Sequence, residues 1–145
     1  MFDLNRRAEL HDAVEAMFFA YRAFTERPDR ILEDRGLGRV HHRILYFVGR
    51  RSGISVKGLL DLLKVSKQAL NAPMRQLVDM RLLAVSANSG DRRIRNLGLT
   101  QEGQRLEAEL TGAQMRHLEA ALGQAGRQAE AGWREVMAAL VQAES

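Results

Sequence analysis

The chain has 145 residues, no cysteine, two prolines, eight aromatics and a formal net charge of +4, with 46% hydrophobic and 28% charged residues. That balance describes one globular domain, large enough to hold a core without a metal or disulfide staple, and few prolines and aromatics favour helices over a sandwich or barrel. The missing cysteines exclude thiolate zinc sites, cysteine nucleophiles and thiol-based sensing. The start Met1-Phe2-Asp3-Leu4-Asn5-Arg6-Arg7 lacks a signal-peptide apolar run, and no stretch reaches the ~18 apolar residues of a membrane span, so the expected compartment is the cytoplasm.

The charge is unevenly placed. Residues 1–35 carry 6 Lys+Arg and 8 acids, a net −2, and residues 96–145 carry 4 Arg and 7 acids, a net −3. Residues 36–95 carry 12 Lys+Arg against Asp61, Asp79 and Asp91, a net +9. Such a basic middle is either a surface that meets a polyanion or a solvated face, and the elements inside it have to decide.

In chain order, the first element is a long amphipathic helix over about Asn5–Glu33, with Leu10, Val14, Met17, Phe18, Tyr21 and Phe24 at helical spacing. Arg27-Pro28-Asp29 should end or kink it. After Gly36 and Gly38 a second helix fits Arg39–Arg51, with Val40, Ile44, Phe47 and Val48 inward and Ser52-Gly53 closing it. Two short helices follow. Ser55 is the N-cap expected for one carrying Val56, Leu59, Leu60 and Leu63, and Ser66 for one carrying Leu70, Met74, Leu77 and Val78. Their three- to four-residue separation is the spacing of a helix-turn-helix. Pro73 should kink the second of them or split it near Asn71. The pattern then becomes β-compatible over Leu82–Ala87, turns at Asn88-Ser89-Gly90-Asp91 and returns over Arg92–Leu99. Thr100 caps a helix running to about Gly123, which at ~1.5 Å per residue spans ~35 Å, and a last helix fits about Gly126–Ala143.

Two short helices and a basic hairpin make a winged helix-turn-helix plan, so the fold class is mainly α with a β-hairpin wing. The second helix of such a pair lies in the major groove and the hairpin follows the backbone toward the minor groove. The stretch Asp91-Arg92-Arg93, then Leu99-Thr100-Gln101-Glu102-Gly103, resembles the wing signature of the MarR family of bacterial transcriptional regulators. Val65-Ser66-Lys67-Gln68-Ala69-Leu70 is similar to the start of that family's recognition helix. The order of elements resembles the family over essentially the whole chain, with residues 36–100 as the DNA-binding region and residues 1–35 and 101–145 as dimerisation helices. The chain departs from the pattern at Pro73, at Arg81 where the family usually has glycine, and at Arg95 and Asn96 on the return strand.

The resemblance implies a homodimer that binds a palindromic operator in double-stranded DNA, often as a repressor, and a small aromatic or acidic effector that releases it. The apolar stripes of the terminal helices argue independently for pairing of two chains. By position, Ser66, Lys67, Gln68, Asn71 and Arg75 belong to the recognition helix, with Ser66 also its cap. Gln and Asn bond adenine bidentately and Arg does the same for guanine. Lys57 is a phosphate candidate, Arg92 the wing-tip arginine, Arg95 an extension of the phosphate surface, and Arg93 the partner of a wing-stabilising Asp91. The family's effector pocket implies Phe18, Tyr21 and Phe47 as walls and Arg22, Arg39, His41 or His42 as partners of an acidic ligand, although each aromatic also reads as plain core. Adjacent His41 and His42 diverge by ~100° on a helix and do not suit one metal ion, so neither metal nor cofactor is expected. The rival to DNA binding is a winged-helix module for protein contact. An enzyme is not expected, since there is no Ser-His-Asp order and no phosphate-binding glycine loop.

Overall fold

A computed structural model describes residues 3–143. Six helices and one hairpin follow in the order α1 (Leu4–Glu33), α2 (Arg39–Arg50), α3 (Val56–Leu63), α4 (Lys67–Asp79), β1 (Leu83–Ala87), β2 (Arg95–Leu99), α5 (Gln101–Ala125) and α6 (Arg127–Ala143). The chain divides into two compact units: one of residues up to Phe24 and from Ala113 onward, the other Thr25–Gly112.

The second unit holds the core, which is built almost wholly of leucine. Leu32 of α1, Ile44, Leu45 and Val48 of α2, Leu59 of α3, Leu70 and Leu77 of α4, Leu83 and Leu97 of the hairpin, and Leu106 and Leu110 of α5 are all buried together. Each such side chain, fully removed from water, stabilises by about 1.5–3 kcal/mol. The expected 3.6-residue spacing is what brings them to one side of each helix. β1 and β2 pair antiparallel from Leu83↔Leu99 to Ala87↔Arg95. A third short segment joins them: Gly53 N donates to Leu97 O at 2.9 Å, Leu97 N to Ile54 O at 2.8 Å, and Ser55 bridges to Asn96.

Three expectations about element limits are corrected. Pro28 does not end α1, which runs on to Glu33. Proline costs the helix one donor, while Pro28 and Leu32 are themselves buried and hold this end of α1 in place. Pro73 does not split α4, which is continuous from Lys67 to Asp79 with Asn71 inside it and Leu70 and Leu77 buried on either side of the proline. The return strand starts at Arg95 and not at Arg92, because a hydrogen-bonded loop occupies residues 88–94. α1 itself ends in a C-terminal motif around Gly36, at φ +70°, with Leu37 N donating back to Leu32 O at 2.9 Å.

The first unit, taken by itself, is formed by the early turns of α1, the later part of α5, and α6. No residue of α6 is buried. Phe18 is 70% exposed and Val141 69%, and Val14, Met17, Phe19, Met115, Val136 and Leu140 are exposed as well. Among the described residues no helix is long and apolar enough to cross a membrane.

Candidate nucleic-acid interface

The helix-turn-helix is set by its caps. Ser55 Oγ accepts from Gly58 N at 2.9 Å to start α3, and Ser66 Oγ accepts from Ala69 N at 3.1 Å to start α4. Between them Lys64 adopts a left-handed conformation, φ 55°, and its amide donates to Leu60 O. The sequence offers no glycine there, so the turn holds a β-carbon where one is disfavoured, at a cost of about 1–2 kcal/mol. Arg81, beyond the C-terminus of α4, does the same at φ 60°. The missing glycine noted in the sequence is therefore met by forcing arginine into glycine's conformation.

α4 packs against α2 and β1, and α3 against β2. Leu70 and Leu77 turn into the core, which leaves Lys67, Gln68, Asn71, Ala72 and Arg75 exposed. The side chains of Lys67, Gln68, Asn71 and Arg75 make no hydrogen bond or ion pair with any described residue. Ser66, in contrast, is spent as a cap. Lys57 is exposed and uncommitted in the first turn of α3.

The wing tip is a knot of short-range hydrogen bonds. Asn88 Oδ1 accepts from Gly90 N at 2.8 Å and from Asp91 N at 3.1 Å. Asn88 N donates to Ile94 O at 2.8 Å and Ile94 N to Asp91 O at 3.0 Å. Asp91 then receives Arg93 three times: backbone N to Oδ1 at 3.0 Å, Nε to Oδ1 at 3.1 Å and Nη2 to Oδ2 at 3.0 Å. These bonds from Arg93 hold the Asp91 carboxyl below its usual range and push the Arg93 guanidinium up. Arg93 thus braces the loop, while Arg92 and Arg95 stay exposed and unpaired among the described residues. Asn88 was legible only as one of a cluster of turn residues; its spacing to Gly90 is the signal for the Asx turn it makes.

The residues assigned by resemblance to a ligand do not share a unit. Phe18, Tyr21 and Arg22 belong to the first, where Arg22 lies over the Phe19 ring at 5.2 Å. Arg39, His41, His42 and Phe47 belong to the second. Arg39 grips Asp29 with Nε and Nη2, at 3.1 and 2.9 Å to Oδ2, and donates to buried Thr25 Oγ1 at 3.2 Å. His42 is buried and shares a 3.2 Å hydrogen bond between Nε2 and Thr111 Oγ1. Burial pushes its pKa down, nearby Asp29 partly offsets this, and Arg43 adds to it. Phe47 meets Tyr46 edge-on and carries Arg51 over its ring at 5.3 Å. His41 uses both ring nitrogens, accepting from Gly38 N and bonding Gln76 Oε1, each at 2.9 Å. The partners Thr25, Asp29, Gln76 and Thr111 were not foreseen, because each lies 10 or more residues away in sequence.

Comparison with other proteins places this geometry. Residues 35–94 match the sequence profile of the MarR family. The chain is 45% identical over 133 residues to the HTH-type transcriptional regulator PetP of Rhodobacter capsulatus, covering 92% of this chain and 80% of that protein. The crystal structure of NadR in complex with 4-hydroxyphenylacetate is similar in fold, with a TM-score of 0.71 at 20% identity over 86% of this chain and 89% of that one. A Staphylococcus aureus MepR mutant bound to an oligodeoxyribonucleotide matches with a TM-score of 0.61 at 14% identity over 92% and 98% of the two chains.

Proposed function

The chain belongs to the MarR family of transcriptional regulators, and from that premise we propose that it binds a palindromic operator in double-stranded DNA as a homodimer and represses the genes beside it. The observation that carries this is the uncommitted polar surface of α4 next to a braced, basic wing. Gln68, Asn71 and Arg75 read base edges in the major groove. Lys57, Lys67, Arg92 and Arg95 meet phosphates. Residues 1–35 and 101–145 supply the dimer contact, a reading supported by the apolar side chains the first unit leaves exposed in a single chain. The two-fold axis sets the two copies of α4 about 34 Å apart, one turn of DNA. The protein works in the cytoplasm as a regulator, not as an enzyme.

A small aromatic or acidic effector releases the DNA. Within the second unit Arg39 is the receptor for its carboxylate, which has to displace Asp29 to bind there; the NadR complex shows an aromatic acid held by a protein of this fold.

The test is selection from a random-sequence duplex library, followed by fluorescence anisotropy on the enriched sequence. The enriched site is expected to be an inverted repeat. Four phosphate-facing cations per protomer, eight per dimer, give an expected slope of log affinity against log salt of about −7. No enriched sequence, or an affinity unchanged between low and moderate salt, overturns the proposal.

A further inference from the structure

A closed set of hydrogen bonds joins α4 to the elements behind it. Gly38 N donates to His41 Nδ1 at 2.9 Å. A backbone N–H is always a donor, so Nδ1 carries no proton and the proton of neutral His41 sits on Nε2. Nε2–H therefore donates to Gln76 Oε1, at 2.9 Å. That leaves the Gln76 amide nitrogen pointing the other way, where it donates to Gly36 O at 3.1 Å. One side chain of α4 is thus held by the start of α2 and by the loop that ends α1. His41 is 8% exposed, so water does not readily replace the bond it makes.

We propose that His41 and Gln76 are positioning residues for DNA recognition: together they fix the rotation of α4 about its own axis and so the register in which Gln68, Asn71 and Arg75 meet the bases. The leucines of α4 do not do this alone. Leu70 and Leu77 give a non-directional attraction to the core, which tolerates small rotations, whereas the His41–Gln76–Gly36 relay is directional at every step. Gln76 follows Arg75 directly in the helix, so a rotation of a few degrees at Gln76 displaces the Arg75 guanidinium, several bonds from the axis, by enough to spoil a bidentate contact with guanine. Phosphate contacts from the wing are not routed through this relay and do not depend on it.

The inference rests on the reading of α4 as the base-reading helix, and its test separates the two. Three proteins are compared with wild type: His41→Gln, Gln76→Leu and the double variant. Glutamine at position 41 keeps an acceptor for Gly38 N, as in a capping box, but loses the bond to Gln76. Each is titrated on the duplex enriched by the wild-type protein and on a random-sequence duplex of equal length. Each single variant is expected to lose about 10-fold in affinity for the enriched duplex, the double variant no more than either single, and each to change by no more than about 2-fold on random DNA, since of the phosphate-facing cations only Lys67 lies on α4. Additive losses, equal losses on both duplexes, or no loss overturn the proposal. If wild type enriches nothing, the functional reading fails, and the relay is judged by amide hydrogen exchange: faster exchange through α4 in Gln76→Leu is expected, and unchanged exchange overturns it.

Discussion

Gly103 is the position where one added methyl group should do the most damage. It is the third residue of α5 and buried. A β-carbon there would stand 2.0 Å from Leu82 O and 3.0 Å from Leu82 C. Real β-carbons essentially never approach closer than 3.0 Å, so the backbone at Leu82 or the start of α5 must move by about 1 Å. Both are pinned. Leu82 O accepts from Thr100 N at 3.2 Å, Thr100 Oγ1 accepts from Gly103 N at 3.0 Å and donates to Arg81 O at 2.6 Å, and Leu82 is part of the core. Overpacking a filled site costs about 1–3 kcal/mol, and the loss of one of these hydrogen bonds adds about 1 kcal/mol. Gly103→Ala is therefore expected to destabilise by about 2–4 kcal/mol, lowering the melting midpoint by about 5–15 °C. Gly123→Ala, in the same helix with open space around it, is the control and should stabilise by about 0.5–1 kcal/mol. Urea unfolding followed by circular dichroism, at one fixed protein concentration, measures both. A Gly103→Ala protein within about 0.5 kcal/mol of wild type would refute the close-approach argument.

Arg92→Ala should weaken binding on every DNA sequence and flatten the salt slope by about 2 per dimer, measured by anisotropy over a salt series. Asp91→Ala should leave the melting midpoint in place while reducing DNA affinity, since it removes the acceptor of the three Arg93 bonds that brace an exposed loop. Arg81→Gly should raise stability by about 0.5–1 kcal/mol: it relieves a left-handed arginine costing about 1–2 kcal/mol but adds back glycine's freedom in the unfolded chain. His42 has a pKa below that of the unfolded chain, so the unfolded state takes up its proton first as pH falls. Its contribution is complete above about pH 6.5 and declines below it; His42→Gln should show a smaller loss of stability on acidification, read from unfolding curves at stepped pH.

The fold was legible wherever local chemistry decides it. Ser55, Ser66 and Thr100 stand before apolar runs, and all three act as N-caps, each hydroxyl accepting from the backbone N–H three residues on. Asp91 and Arg93 are two residues apart, and they pair. Sequence misled where tertiary packing outweighs propensity. Pro28 and Pro73 are both breakers by local rules, yet both sit in continuous helices whose neighbouring leucines are buried. Arg92–Ile94 have strand-compatible spacing, yet they are drawn into the Asn88–Asp91 hydrogen-bond knot. The exposed side of α4 was readable as a row of polar residues on one helix. Its supports were not, because Gln76 is 35 residues from His41 and 40 from Gly36, and no periodicity links positions so far apart.

Ser55 has a consequence for anyone wishing to retarget this protein. Its hydroxyl starts α3 while its backbone bridges to Asn96 on the wing, so Ser55, beside the bonds of Gly53 and Ile54 to Leu97, helps to pin the helix pair to the hairpin. Grafting a foreign wing, or transplanting α3 and α4 alone, would cut that pin. Randomising only positions 68, 71, 72 and 75 leaves it whole, and leaves Leu70, Gln76 and Leu77 as the fixed seat on which any new reading head is mounted.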